Sequence, residues 1–227
     1  MMNVILASAS PRRKELLGHI FSEFTVLPAV GEEEADFSTP SQFVCDLAEN
    51  KALEVARSAF RAEKNVSNEP LTNYAPEDLT LILGADTIVF ANDLVLGKPA
   101  GPKEAFDMLS LLSGASHKVY TGVCLLFLRK DAADKESDHD RQDKYSLIAS
   151  HSFCEETEVF VDPLTDKEID DYIATGDPLD KAGSYGIQGP FCKHISGIRG
   201  DYFNVVGLPV SRISRELKKL QQKTPVN

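Results

Sequence analysis

The chain has no apolar run long enough to cross a bilayer as a helix, so no membrane partner is expected. Its four cysteines, Cys45, Cys124, Cys154 and Cys192, show no C-x-x-C spacing, which argues against a zinc site and fits reduced thiols in the cytoplasm. It has no excess of basic residues. With a net charge of -11 and a pI near 4.9, it lacks the basic face expected of a nucleic-acid binder. No charged leader and long apolar segment precede the first strand, so a secretory signal is not expected. Internal repeats are not apparent, and the five histidines show no Ser-His-Asp or Cys-His arrangement. Gly97-Lys98-Pro99 lacks the glycine spacing and following Ser or Thr of a Walker loop.

What remains is an ordinary globular composition, 42% hydrophobic and 26% charged over 227 residues, enough for a sizeable core. The expectation is one domain over 1–227, with two lobes around a cleft and loop insertions near 61–79 and 131–144. The first stretch sets the theme. Val4 to Ala7 reads as a buried strand, Ser8 and Ser10 as a turn, and Pro11 as the first residue of a helix running to about His19. Ser10 is the natural N-cap. Arg12, Arg13 and Lys14 then stand where the helix dipole disfavours cations. Such a turn is either a solvated helix start or a phosphate site built of N–H groups, hydroxyls and guanidinium forks.

Further along, Phe24 to Val30 reads as a strand, and Glu32, Glu33 and Glu34 as either a solvated loop or a source of one metal ligand. Thr39 and Gln42 predict a capping box at the start of a helix. Lys51 falls on that helix's apolar stripe, where an ammonium needs an anion or must snorkel to the rim. Gly84, Asp86 and Thr87 interrupt the apolar strand that starts at Thr80, and an ionised carboxylate there requires hydrogen bonds or a cation. Asn92-Asp93 predicts a hairpin turn, with Leu94 to Pro99 returning as the second arm. Pro102 opens a helix closed by Gly114, two long strands follow over 117–128 and 145–161, and the charged 129–144 segment reads as a hairpin tip. Thr165 and Glu168 cap another helix, Asp180 to Gly189 reads as a ligand-wrapping loop, and Pro209 begins a last helix that frays from Gln221. The fold class is therefore α/β with a mixed sheet. The separated clusters sum to cations for phosphates, carboxylates for a divalent ion and a Gln able to read a base edge.

Six motifs, S-A-S-P-R-R, G-A-D-T, L-G-K-P, S-G-A-S-H-K-V-Y-T-G-V, D-K-A-G-S-Y-G-I-Q-G and G-D-Y-F-N-V-V-G-L-P, occur in an order that resembles the Maf nucleoside-triphosphate pyrophosphatases. The resemblance runs from residue 4 to about 215. It implies the inosine-triphosphatase-like fold, a mixed twisted sheet with flanking helices and a central substrate cleft. It also implies hydrolysis of a nucleoside triphosphate to the monophosphate and pyrophosphate with a divalent ion, Mg²⁺ or a similar one such as Mn²⁺ or Co²⁺. Asp86 matches the family's proton acceptor, Ser8, Arg12 and Arg13 its phosphate-binding turn, and Lys51, Lys98 and Lys181 its other basic groups. Arg12, Thr87 and Gln188 match the positions that sort the subfamilies, in the combination of the dTTP and UTP branch rather than the 7-methyl-GTP branch. Modified pyrimidine nucleotides are a further substrate class this implies. Counting on from Arg13 makes Glu33 the loop carboxylate, and counting back from Lys51 makes it Glu32; Glu33 is taken, with Asp86, as the metal-holding pair. Ser184 stands where the family often has Ala. The resemblance further implies a homodimer. Its alternative is a regulator of septum formation that binds nucleotide or a division partner without turnover.

Overall fold

A computed structural model describes residues 2–31, 35–62, 71–130 and 145–222. Among them, seven strands form one mixed sheet. The first, β1 (Asn3–Leu6), lies between two parallel neighbours, β2 (Thr25–Val26) and β3 (Leu79–Ala91). From β3 the sheet continues antiparallel through β5 (Ser116–Lys130), β6 (Tyr145–Val161) and β7 (Ile195–Arg199), while β4 (Leu94–Leu96) folds back on β3. This is the α/β mixed sheet that the order of elements predicts, with the flanking helices that the resemblance implies. Segment 63–70 of the first expected insertion, the second insertion at 131–144 and the acidic run 32–34 lie outside the described residues.

The two edges of β3 are used differently. Along one edge β5 pairs with it almost throughout, from Leu79 to Phe90. Along the other, β1 pairs only with Thr80 to Leu83 and β4 only with Val89 to Ala91. Gly84 to Ile88 therefore face a gap between two strands, at the carboxyl end of β1. Open α/β sheets place ligands at such switch points.

Helix α1 (Pro11–Leu17) starts as expected, with the Ser10 hydroxyl accepting the Arg13 N–H, but ends two residues short of His19. Helix α2 (Pro40–Phe60) covers one face of the sheet, burying Val44, Ala48, Ala52 and Val55. Two glycines let it lie close. A Cβ on Gly84 would overlap the Ala48 carbonyl oxygen, and one on Gly122 would overlap that of Val44. On the other face, β1, β3 and β5 pack against α5 (Tyr202–Val206) and α6 (Val210–Gln222), with α3 (Pro102–Leu112) and α4 (Asp166–Ile173) toward β4. Burial pushes the Cys45 thiol up to about 12 and the Cys124 thiol to about 11, so both stay protonated at neutral pH.

Several local expectations need correction. The second strand shrinks to Thr25–Val26, because the rest of 24–30 finds no ladder partner beyond Leu27 N–H on the Leu6 carbonyl. Half of the capping box at Thr39 forms: Thr39 accepts the Gln42 N–H, but the Gln42 amide reaches forward to Asp46. The box at Thr165 and Glu168 is complete. The last helix runs through Gln222 rather than fraying at Gln221, and α5 was not anticipated at all.

On α6, Glu216 is buried beside Arg212 at 2.6 Å, Lys219 at 3.0 Å and His151 at 3.3 Å. Burial raises its carboxyl, but hydrogen bonds from Lys219, Arg212 and His151 outweigh this and bring it from 4.5 to about 2. A depressed carboxylate contributes stability that is full above 4.5 and lost as the pH falls through about 2. Glu216→Gln should therefore flatten the fall of melting temperature across that window, as measured by calorimetry at stepped pH. An unchanged slope would overturn this.

Candidate active site

The gap in the β3 edge opens into a cleft of about 1010 Å³, roomy enough for a nucleotide. Because side chains alternate along a strand, Asp86 points to the α2 face and Thr87 to the opposite one. Both line the cleft, so it reaches around both faces of the strand.

On the α2 side, Lys51 Nζ lies 2.6 Å from Asp86 Oδ1. Their side chains are 14% and 12% exposed, so the ammonium on the apolar stripe is matched by a carboxylate rather than snorkelling to the rim. The register brings this about: Gly122 stands opposite Asp86 on β5, and the close seat of α2 on Gly84 and Gly122 carries Lys51 down to the strand.

Across the strand, Arg13 is held at three points. Its Nε donates to the Gly207 carbonyl at 2.9 Å, Nη1 to Ser8 Oγ at 3.2 Å and Nη2 to Thr87 Oγ1 at 2.9 Å. Ser8, itself buried, also accepts the Ser10 N–H. The opening turn is therefore stitched to β3 and to the loop before α6. Arg12 turns the other way, 4.0 Å from Asp180.

The far wall is the segment 177–189, hung from β4's end by Gly183 N–H on the Gly97 carbonyl. Lys181 Nζ donates to the Asp177 carbonyl at 2.7 Å, to Asp177 Oδ1 at 3.0 Å and to Asp180 Oδ1 at 2.7 Å. The Lys181 hydrogen bond holds the Asp180 carboxyl below its usual range. Asp177 is fixed in turn by the Tyr172 hydroxyl at 2.6 Å, and burial with the Asp177 charge keeps that phenol protonated. Tyr185, also on the wall, meets His117 Nε2 at 2.7 Å, and burial pulls His117 down to about 4, so the ring is neutral. Lys98 and Gln188 line the same cleft from exposed positions.

All of Ser8, Arg12, Arg13, Lys51, Asp86, Thr87, Lys98, Lys181 and Gln188 thus border one cleft. Glu33, and its neighbour Glu32, lie outside the described residues. Asp177, Tyr172, Thr121 and Asn204 were missed by sequence reasoning. Only Asp177 carried a signal, its i,i+4 spacing to Lys181. Among the described residues no group of three or more His, Cys, Asp or Glu side chains could enclose a metal ion.

An α/β protein whose central strand is bared between two lateral partners, with cations gathered on both sides of one carboxylate, is built to hold a polyanion. The sequence profile of Maf-like proteins matches residues 3–220, and the chain belongs to that family. A dTTP/UTP pyrophosphatase of Agathobacter rectalis is 48% identical over 220 residues, covering 97% of this chain and 98% of that one. The dTTP/UTP pyrophosphatase of Bacillus cereus strain ZK / E33L is 44% identical, with 96% of each chain covered. That of Lachnoclostridium phytofermentans is 37% identical over 96% of this chain and 95% of its own.

Proposed function

We propose that this chain is a nucleoside triphosphate pyrophosphatase acting on dTTP and UTP, and on modified pyrimidine nucleotides of the same shape. The observation that carries the reading is the Lys51–Asp86 pair, set at the bared span of β3 within reach of the Ser8–Arg13 turn. The activity for which the relatives are named, and the near-complete coverage, support the choice of substrate.

In this reading the triphosphate lies along the Ser8–Arg13 turn, with Arg12, Arg13, Lys51 and Lys98 meeting its charges. The base extends toward Gln188, whose amide can both donate and accept at a pyrimidine edge. Lys51 holds Asp86 Oδ1, and among the described residues Oδ2 has no hydrogen bond to protein. That oxygen takes the proton from a water attacking the α-phosphorus. A bond forms between the water oxygen and phosphorus, the bond to the α–β bridging oxygen breaks, and pyrophosphate leaves with that electron pair.

A hard carboxylate oxygen at a cleft for phosphates suits a divalent ion, which Asp86 would hold together with Glu33. When bound, such an ion supplies charge neutralisation on the phosphate oxygens. One domain, a homodimer, a cytoplasmic setting and the absence of nucleic-acid and membrane partners complete the proposal. Among the described residues no helix is long and apolar enough to cross a membrane.

The test is pyrophosphate release across a panel of nucleotides, with and without a chelator. Turnover of dTTP and UTP above the purine nucleotides, stopped by the chelator, is expected. Equal rates on every nucleotide would overturn the pyrimidine assignment. Tight binding without release would favour the non-catalytic regulator.

A further inference from the structure

We infer that Thr121 is a positioning residue for Arg13, acting through Thr87 at the phosphate end of the cleft. This rests on the reading that the cleft binds a nucleotide's phosphates. Thr121 is fully buried on β5, directly opposite Thr87 in the antiparallel register. The two hydroxyl oxygens are 2.9 Å apart, and Thr121 Oγ1 also donates to the Asn204 carbonyl at 3.0 Å.

Proton counting fixes the direction of this chain. A carbonyl only accepts, so Thr121's single hydroxyl proton goes to Asn204. Thr121 must then accept from Thr87, whose own proton is thereby committed. Thr87 is left able only to accept, and Arg13 Nη2 donates to it at 2.9 Å. The order is guanidinium to Thr87, to Thr121, to the Asn204 backbone, with no step that can be reversed. Asn204 is itself anchored, its amide donating to the Val119 carbonyl and to Thr157 Oγ1, each at 3.0 Å. The guanidinium plane is thus referenced to the buried centre of the sheet rather than to solvent.

Two consequences follow. Thr87 cannot donate to a base or a phosphate, so its influence on substrate choice passes through the pose of Arg13. And removing the Thr121 hydroxyl leaves the Thr87 proton without its acceptor, so the hydroxyl is no longer held with its lone pairs aimed at the guanidinium.

The experiment compares Thr121→Val with Thr121→Ser in the full chain. Titration calorimetry with inorganic pyrophosphate reads the phosphate end without turnover, and thymidine reads the base end. Thr121→Val should weaken pyrophosphate about tenfold and raise KM for dTTP in parallel, with kcat and thymidine affinity unchanged, as for loss of one well-aimed charged hydrogen bond. Thr121→Ser should restore wild-type values. In an Arg13→Ala background, Thr121→Val should cost nothing further. Wild-type pyrophosphate affinity in Thr121→Val, absence of rescue by serine, or an undiminished loss without Arg13 would each overturn the proposal. If Thr121→Val does not fold, Thr121→Ala removes the hydroxyl without setting a methyl against Thr87, and is held to the same outcomes. A wild type that releases no pyrophosphate from any nucleotide would sink the functional reading, while the pyrophosphate titration would still decide the role of Thr121.

Discussion

Asp86→Asn is expected to lower the rate of pyrophosphate release by roughly a hundred- to ten-thousand-fold, the span usual for a positioned proton acceptor. The substitution is nearly isosteric, and its amide oxygen still accepts from Lys51, so the geometry of the pair survives. What is lost is the negative charge and the capacity to take a proton. Lys51 would then stand as an ammonium in a pocket where its side chain is 14% exposed, with a neutral partner in place of a carboxylate. That should cost about 1–3 kcal/mol of stability, enough to see in a melt and too little to unfold the chain. Steady-state kinetics beside a melting curve checks both parts. Wild-type turnover in Asp86→Asn would remove Asp86 from the chemistry.

The second large effect lies outside the list of polar residues. Gly84→Ala places a methyl where the Ala48 carbonyl oxygen already sits and within 3.1 Å of the Ala52 nitrogen. No rotamer relieves a clash between a Cβ and backbone, so α2 must move away from the sheet. Such overpacking costs about 3 kcal/mol, or about 6–12 °C in melting temperature for a chain of this size. Displacing α2 also lifts Lys51 off Asp86, so activity should fall with stability. Ala48→Gly should fail to rescue, because the obstructing atom is the carbonyl and not the alanine methyl. Rescue by that double variant would show that the contact is misassigned.

These two sites differ in how legible they are in the sequence. Lys51 on an apolar stripe and Asp86 in an apolar strand are each anomalous alone, and each leaves two resolutions open: an anion or the rim for Lys51, a cation or hydrogen bonds for Asp86. Their mutual contact is the simplest resolution, and the structure has it. Gly84 and Gly122 carried no comparable signal, since a glycine in a strand has many readings before a helix is known to lie on it. Thr121 was invisible for a related reason. A threonine in a strand is ordinary, and only the antiparallel register sets it opposite Thr87. Helix starts were readable where a side chain caps its own backbone, as at Ser10 and Thr165. At Thr39 the reciprocal partner preferred Asp46, a choice that depends on geometry four residues away. Helix α5 is a single short turn, too brief for a helical period to emerge from its sequence.

The bared span of β3 also acts as a gauge. Between its last pairing with β1 at Leu83 and its first with β4 at Val89 lie six residue steps, about 20 Å of extended chain. The two walls are joined by this one stiff strand, itself clamped to β5 from Leu79 to Phe90. Their separation is therefore counted in residues, not adjusted by a hinge. Deleting one residue there would swap the faces of every later side chain and send β4's pairing residues to the wrong side. Lengthening the surface loops has no such effect. Divergence in chain length among such proteins should accumulate in the loops, while the count from Leu83 to Val89 stays constant.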